Sequence, residues 1–206
     1  MRILVGCEWS GRLRDALIDN GWDETYSVDL EDGKGTYRDH HIKGDVLTVL
    51  NAGWDAGIFF PPCTYLSVIG NSHYVAGAPG SAARHVYREA ALLFVEELLD
   101  APILKIALEN PVGVISTRIR KPDQYIQPYE YGDPWQKKTC LWLKNLPLLV
   151  PTCRVTPNGP WVSGATDRGG AHKNSKMRGM TFRGIALAMA DQWFGHVDGC
   201  ECSDCT

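Results

Sequence analysis

The chain has 206 residues, of which 44% are hydrophobic and 22% are charged. This balance predicts a single globular domain with a sizeable core. Its 21 Lys and Arg residues and 24 Asp and Glu residues leave a net charge of −3. A uniformly basic nucleic-acid-binding surface is therefore excluded, and any binding to phosphate groups must depend on a local patch.

The sequence carries no recognisable signal for export or membrane insertion. No apolar run approaches the ~18 residues that a membrane-spanning helix needs. The short apolar stretch at the N-terminus lacks the small-residue cleavage site of a signal peptide. The seven cysteines are an odd number without a secretory signal, which predicts reduced thiols. We therefore expect a soluble, cytoplasmic protein.

The first predicted elements are a strand, a helix and a second strand. Arg2–Gly6 is a short apolar run typical of a buried strand. Ser10 is placed to cap the helix that follows, and Gly21 is placed to end it. Thr25–Val28 predicts the second strand, with Asp29 directly after it.

The middle of the chain predicts a strand, a loop and the longest helix. Ala56–Phe60 is a third apolar run, which leads into two prolines. Residues 67–82 are rich in Gly and Ser and predict a mobile loop. The helix covers about residues 83–99, where apolar residues recur at helical spacing. These residues are Val86, Ala90, Leu93, Phe94 and Leu98.

The last predicted elements complete an alternating pattern. Ile103–Leu108 predicts a strand that Glu109-Asn110-Pro111 closes, and Cys140–Leu143 predicts a late strand. Residues 151–183 look irregular, and Gly184–Trp193 predicts a final helix. Strands that alternate with helices predict an α/β fold, with a mainly parallel sheet and helices on both faces. Ligands of such sheets bind at the carboxyl ends of the strands.

Two of these strand ends carry residues suited to chemistry at a pyrimidine ring. Cys63, in Pro-Pro-Cys, follows the third strand, and Glu109, in Glu-Asn-Pro, follows the fourth. A thiolate is strongly nucleophilic and can leave again by elimination, so it suits attack on C6 of cytosine. A carboxyl group can support N3 as charge develops there. The alternative is that Cys63 is a buried, inert thiol in a turn, but two motifs that both follow strands favour the catalytic interpretation.

These motifs resemble those of a known family. The segments 61–67 (PPCTYLS), 109–112 (ENPV) and 131–139 (YGDPWQKKT) are similar to the catalytic and nucleotide-binding motifs of DNA cytosine C5-methyltransferases. The similarity to small phage-type members covers nearly all of residues 1–193, including CEWSGRLRDAL and RGMTFRGIALAMADQW. The resemblance implies a class I methyltransferase (Rossmann-like) fold, S-adenosyl-L-methionine as cofactor and DNA as partner. It also implies a bacterial or phage-infected host cell as the location.

The resemblance further implies roles for individual residues, with Cys63 and Glu109 as the catalytic pair. The implied cofactor-binding residues all lie in the N-terminal third of the chain: Gly6, Cys7, Glu8, Trp9, Ser10, Gly11, Asp29, Leu30, Asp45, Val46, Phe60, Pro61 and Pro62. Asp29 would meet the ribose hydroxyls and Asp45 the adenine amino group; the alternative is that both are ordinary loop acids. The implied substrate-binding residues are Ser67, Asn110, Pro111, Lys137, Thr139 and Arg178.

The chain differs from larger members of that family in length. Those enzymes carry a separate target-recognition domain, whereas here residues 1–195 would form the methyltransferase domain, with a basic, Gly-rich loop at about 151–183 instead. Such a loop either grips phosphates without reading bases or is a solvated surface loop. A partner protein is an alternative source of sequence recognition.

The remaining residues, 196–206, form a cysteine-rich tail. Four of its side chains have the chemistry of a tetrahedral zinc site: His196, Cys200, Cys202 and Cys205. The alternative is a frayed C-terminus without metal.

The sequence therefore predicts transfer of a methyl group from S-adenosyl-L-methionine to C5 of cytosine in DNA, through a covalent adduct between Cys63 and C6. Two alternatives remain open. In the first alternative, the protein modifies C5 of a free pyrimidine nucleotide or uses a modified sulfonium donor. In the second alternative it is a non-catalytic nucleic-acid-binding protein on the same fold.

Overall fold

A computed structural model of the chain describes residues 1–161 and 179–197. The strands of this part of the chain are β1 (Ile3–Gly6), β2 (Thr25–Asp29), β3 (His41–Lys43), β4 (Ala56–Phe59), β5 (Lys105–Pro111), β6 (Gln124–Ile126) and β7 (Thr139–Lys144). The α-helices are α1 (Arg12–Asp19), α2 (Ser81–Leu99), α3 (Ile115–Arg118) and α4 (Arg183–Trp193). Short 3₁₀ helices cover Arg38–His40, Val46–Val49, Val68–Tyr74 and Pro128–Glu130.

The strands form one mixed sheet with the order β3-β2-β1-β4-β5-β7-β6. Strands β1 to β5 pair in parallel, whereas β7 runs antiparallel to both β5 and β6. The chain moves outward from β1 through β2 to β3 and then crosses to β4 on the other side of β1. This reversal makes the carboxyl ends of β1 and β4 the topological switch point of the sheet, where ligands of doubly wound sheets bind. The α/β class is confirmed, and the arrangement is compatible with a Rossmann-like fold.

Alternate side chains of each strand enter two separate cores, one on each face of the sheet. In β1, Ile3 and Val5 belong to the core beneath α1 and α4, and Leu4 belongs to the core beneath α2. Because both faces are covered by helices, the central strands are apolar along their whole length. None of the helices within residues 1–161 and 179–197 is long and apolar enough to cross a bilayer.

Helix α2 buries a face that coincides only in part with the one that apolar spacing predicts, since Leu98 is buried as predicted and Phe94 is half-buried. Leu92, Val95 and Leu98 are buried, whereas Val86 is 68% exposed and Leu93 is 59% exposed. The helix carries two apolar stripes, and the sheet packs against the one that also contains a buried arginine. Hydropathy alone favours the other stripe because it contains no charge.

Two local predictions are wrong. Helix α1 is preceded by Gly11, whose φ of 79° is left-handed. Ser10 lies one residue further out, where its hydroxyl donates to Glu8 and accepts from the Arg12 N–H at 3.4 Å. The start of α1 is therefore set by the backbone of Gly11. Residues 67–82 are not a loop throughout, because Val68–Tyr74 forms a 3₁₀ helix and α2 already begins at Ser81.

Candidate functional site

The parallel pairing of β1, β2, β4 and β5 brings their carboxyl ends to one edge of the sheet. Cys7 follows β1, Leu30 follows β2, and the segment 60–63 follows β4. Glu109 lies within β5 near its end, one residue beyond the pairing of Phe59 with Leu108. The predicted nucleophile and the predicted carboxyl group therefore lie at the ends of neighbouring strands.

Cys63 begins a tight turn that leaves its side chain half-buried. Its carbonyl oxygen accepts hydrogen bonds from the Leu66 N–H at 3.1 Å and from the Ser67 N–H at 3.0 Å. The described cysteines are thiols, as the sequence predicted. The turn fixes the backbone that carries the predicted nucleophile.

Asn110 joins the two candidate catalytic motifs. Its side chain is 1% exposed, and its Nδ2 donates to the Pro61 carbonyl oxygen at 2.7 Å. The Oδ1 of the same amide is buried and accepts no hydrogen bond from the described residues. One side-chain amide thus locks the residue after Glu109 to the segment that leads to Cys63.

A second connection follows on the far side of Cys63. The Val114 N–H donates to the Leu66 carbonyl at 2.8 Å, and the Val68 N–H donates to the Val112 carbonyl at 3.1 Å. Gly113 lies between these bonds, where a Cβ atom would come within 2.0 Å of the Leu66 oxygen. The backbones of the two motifs approach so closely that only glycine fits at this position.

Glu109 lies in the half-buried end of β5, opposite Leu141 of β7. Burial, followed by the charge of Glu109, raises the pKa of the Cys140 thiol to about 11. Cys140 is therefore an inert core thiol at neutral pH. Cys63, by contrast, is half-buried in the turn at the sheet edge.

A shallow cleft lies at the switch point between β1 and β4. Its walls are Cys7, Glu8, Trp9, Ser10, Phe60, Gly179, Met180 and Thr181. The Arg12 guanidinium donates to the Thr181 carbonyl at 2.6 Å and so ties the two walls together. Five of the predicted cofactor-binding residues line this cleft. Residues 179–181 were missed because they lie far from any predicted strand end.

Glu8 is the buried charged group of the cleft, with a side chain that is 3% exposed. Its carboxylate accepts hydrogen bonds from the Ser10 hydroxyl and, at 3.1 Å, from the Gly11 N–H. Burial raises the pKa of Glu8 above its ordinary value, against the opposing effects of these hydrogen bonds and of the Arg14 charge. The cleft therefore has an acidic wall.

Two further predicted cofactor-binding acids lie beside the cleft. Asp29 is half-buried, and burial raises its pKa. Asp45 is exposed, and its carboxylate accepts from the Leu47 N–H at 3.0 Å. Burial, followed by the charges of Asp29 and Asp45, raises the pKa of Cys7 to about 12, so all three side chains lie within electrostatic range of one another. Leu30, next to Asp29, is 73% exposed and offers an apolar surface beside the carboxylates.

Some predicted cofactor-binding residues have a clear packing role. Val46 is buried in the core beneath α2, so its side chain faces the protein interior. A Cβ atom on Gly6 would lie 2.6 Å from the Phe59 ring and 2.8 Å from Val46. Pro61 is buried, whereas Pro62 is exposed at the sheet edge. Gly6 is thus required by packing whether or not a ligand binds.

Arg14 is a buried residue that the sequence analysis missed. Its guanidinium donates to Ser27 Oγ at 2.9 Å, to the Asp15 carboxylate and to the Lys34 carbonyl. It thereby anchors the loop that follows Asp29 to α1. An arginine within an amphipathic helix gives no sequence signal for such burial, because its partners Ser27 and Lys34 are distant in the chain.

Of the predicted substrate-binding residues, Ser67 and Pro111 lie near the carboxyl ends of β4 and β5, and Lys137 and Thr139 lie at or just before the start of β7. Ser67 is buried and accepts from the Ile69 N–H at 3.3 Å, while Pro111 pairs with Thr139 in the sheet. Lys137 places its Nζ 5.7 Å from the centre of the Phe182 ring. Thr139 is buried, and its hydroxyl donates to the Lys137 carbonyl at 3.2 Å, so it supports this segment from behind. Arg178 lies outside the described residues.

The tail is described only as far as His196 and Val197. The Nε2 of His196 lies 3.8 Å from an Asp191 carboxylate oxygen. Cys200, Cys202 and Cys205 lie outside the described residues, and the described part of the chain contains no group of three metal-ligating side chains. Zinc binding by the tail stays a prediction.

The sequence was compared with protein-family models and with curated proteins, and neither comparison finds a match.

Proposed function

We propose that the protein is a class I methyltransferase that methylates C5 of cytosine in DNA, using S-adenosyl-L-methionine. The proposal is carried by one observation. The turn with Cys63 and the strand end with Glu109 are locked together by Asn110 and by the close contact at Gly113. They lie beside a cleft at the switch point of the sheet.

In this proposal Cys63 acts as the nucleophile. Its thiolate adds to C6 of cytosine, which forms a sulfur–carbon bond and moves electron density onto C5. Glu109 supports N3 with a hydrogen bond as negative charge develops there. After C5 has gained the methyl group, loss of the C5 proton and cleavage of the sulfur–carbon bond restore the ring and release the thiolate. Because the base must leave the stack to reach Cys63, the substrate is bound with the target nucleotide flipped out.

The residues at the switch point fit S-adenosyl-L-methionine, which would supply the methyl group. We assign the methionine part of the cofactor to the shallow cleft that Cys7–Ser10 and Phe60 line. Glu8 there provides carboxyl oxygens that can accept hydrogen bonds from the ammonium group of the ligand. Asp29 and Asp45 provide acceptors for ribose and adenine, and the exposed Leu30 provides an apolar surface for the base.

Nucleoside analysis tests the reaction. DNA from cells that express the protein is hydrolysed and examined for 5-methylcytosine by mass spectrometry, together with RNA and free nucleotides from the same cells. The proposal predicts 5-methylcytosine in DNA, its loss in Cys63→Ser, and its retention in Cys153→Ser, since Cys153 is an exposed thiol outside both the Cys63 turn and the cleft. Methylated pyrimidine found only in the nucleotide pool would contradict the DNA substrate.

Calorimetric titration tests the cofactor separately. We expect S-adenosyl-L-methionine to bind the native protein and to bind Asp29→Asn about tenfold more weakly, the loss expected for a hydrogen bond to a charged group. Asp23→Asn, an exposed acid before β2, is the matched control and should bind normally. No binding to the native protein would favour the non-catalytic alternative.

A further inference from the structure

Helix α2 carries a buried arginine, Arg88, that contacts the segment just after the predicted nucleophile. Arg88 is 9% exposed and belongs to the buried face of α2 together with Leu92, Val95 and Leu98. Burying a guanidinium group is costly unless its N–H groups find acceptors. The acceptors of Arg88 therefore show which parts of the chain it holds together.

The partners of Arg88 all belong to the segment just after Cys63. Its Nε donates to the Tyr65 carbonyl at 2.8 Å, and one terminal nitrogen donates to Asn71 Oδ1 at 3.1 Å. Its guanidinium carbon lies 3.3 Å from the centre of the Tyr74 ring, whose hydroxyl donates to the same Tyr65 carbonyl at 3.2 Å. One side chain therefore contacts both the turn of Cys63 and the 3₁₀ helix Val68–Tyr74.

Aromatic contacts reinforce this connection at the surface. The rings of Tyr65 and Tyr87 lie 5.2 Å apart at 31°, which joins the turn to the residue just before Arg88 in α2. The turn is thus held from two directions, by β5 and its following residues on one side and by α2 on the other.

We propose that Arg88 is a positioning residue that holds the Cys63 turn and the Val68–Tyr74 helix as one rigid unit. It does not touch the reacting atoms. It acts through the Tyr65 carbonyl, two residues beyond Cys63, and through Asn71. Its effect on catalysis rests on the proposed function, whereas its effect on local rigidity does not.

Two variants separate these contacts. Arg88→Lys keeps the charge but loses the fork that reaches two acceptors at once. Asn71→Ala changes an exposed residue and removes only the hydrogen bond between Arg88 and the 3₁₀ helix. This variant therefore still tests the contact if Arg88→Lys fails to fold. Arg118→Lys is the matched control, because Arg118 forms an exposed ion pair with Glu89.

Hydrogen–deuterium exchange measures the rigidity. We expect amides of residues 64–74 to exchange about tenfold faster in Arg88→Lys, and to a smaller extent in Asn71→Ala, while those of α4 remain unchanged. Arg118→Lys should match the native protein. Unchanged exchange over residues 64–74 in both variants would overturn the proposal, and so would faster exchange spread evenly over the whole chain.

The catalytic effect is read from covalent trapping on DNA that contains 5-fluorocytosine. In Arg88→Lys the rate of adduct formation should fall about tenfold while the Kd for S-adenosyl-L-methionine stays unchanged, a split that general loss of stability does not produce. An unchanged rate would overturn the positioning role. If the native protein itself forms no adduct, the proposed function fails, and the exchange measurement still decides the role of Arg88 in rigidity.

Discussion

Acidic side chains at the sheet edge differ in how deeply they are buried. Glu8 is a carboxylate with almost no exposed surface, whereas Asp45, at the same edge, is exposed. Asn110 is buried. Its Nδ2 donates to the Pro61 carbonyl, whereas its Oδ1 accepts no hydrogen bond from the described residues. Such buried polar groups are costly, so they concentrate where a protein needs them for binding or catalysis.

Glu8 gives a prediction about stability and pH. Burial raises its pKa in the folded protein above the ordinary value of 4.5. Its contribution to the free energy of unfolding is therefore fully present below about pH 4.5 and is lost as the pH rises through the folded value. Glu8→Gln removes this dependence, so its Tm relative to the native protein should increase between pH 4 and pH 8 or so.

Thermal unfolding across that pH range checks the prediction. Glu97→Gln changes an exposed glutamate on α2 and should show a constant difference in Tm from the native protein. A Tm difference for Glu8→Gln that decreases as the pH rises would show that the hydrogen bonds from Ser10 and Gly11 outweigh the burial of the carboxylate.

Glu109 gives a prediction about rate. Glu109→Gln keeps the size of the side chain but removes the proton that the carboxyl group would share with N3. We expect the rate of methyl transfer to fall by about 10²–10⁴, the usual contribution of a positioned acid or base. S-Adenosyl-L-methionine should bind as before, because Glu109 lies in β5 and outside the cleft. Single-turnover kinetics measure the rate, with Glu97→Gln as control, and an unchanged rate would exclude a role for Glu109.

Among the structural elements, the contact between the turn after β4 and the turn after β5 is the closest in the candidate site. Gly113 permits it, because its missing side chain leaves room for the Leu66 carbonyl. Two backbone hydrogen bonds, from Val68 and Val114, flank the same point. The distance between the two motifs is thus fixed by backbone atoms.

Gly113→Ala tests this contact. The added methyl group must displace the Leu66 carbonyl, which should lower the free energy of unfolding by about 1–3 kcal/mol, as overpacking does elsewhere. It should also weaken both flanking hydrogen bonds. Urea unfolding measures the loss. Gly44→Ala is the control, since a Cβ atom there meets no atom within 4 Å. Equal stability of the two variants would contradict the close approach at Gly113.

Elements with a strong apolar pattern could be predicted from the sequence, and short polar ones could not. Strands β1, β2 and β4 begin and end within one residue of the predicted positions, because they are apolar runs bounded by turn residues. Strands β3 (His41–Lys43) and β6 (Gln124–Ile126) have three residues each. They are defined by hydrogen bonds to the neighbouring strands β2 and β7, which the local sequence does not indicate. In α2, Leu98 of the predicted stripe is buried, whereas Val86 and Leu93 face outward, because the sheet packs against the face that includes Arg88.

At the scale of the whole molecule, the order of the strands determines where a ligand can bind. The reversal between β1 and β4 opens the sheet edge, and Cys7–Ser10 and Phe60 line the cleft there. The proposed catalytic pair lies one strand further along, at the ends of β4 and β5. A cofactor in the cleft and a base at Cys63 would therefore occupy adjacent positions along one edge.

The sequence predicted the residues of this edge better than the contacts that assemble it. Cys63, Glu109 and Asp29 follow predicted strands, and parallel strands place such residues at one edge. The hydrogen bond from Asn110 to Pro61 and the burial of Arg14 and Arg88 depend on side chains that meet only in the folded chain. No local pattern specifies partners at such separations.

The most direct test of the account is covalent trapping at Cys63. The protein is incubated with S-adenosyl-L-methionine and with DNA in which 5-fluorocytosine replaces cytosine, so that the final elimination is blocked. The account predicts a protein–DNA complex that survives denaturation and maps to Cys63 by peptide mass spectrometry, with no complex in Cys63→Ser and normal complex formation in Cys153→Ser. Native protein that binds both the cofactor and the DNA but forms no complex, or forms it through another residue, would contradict the account.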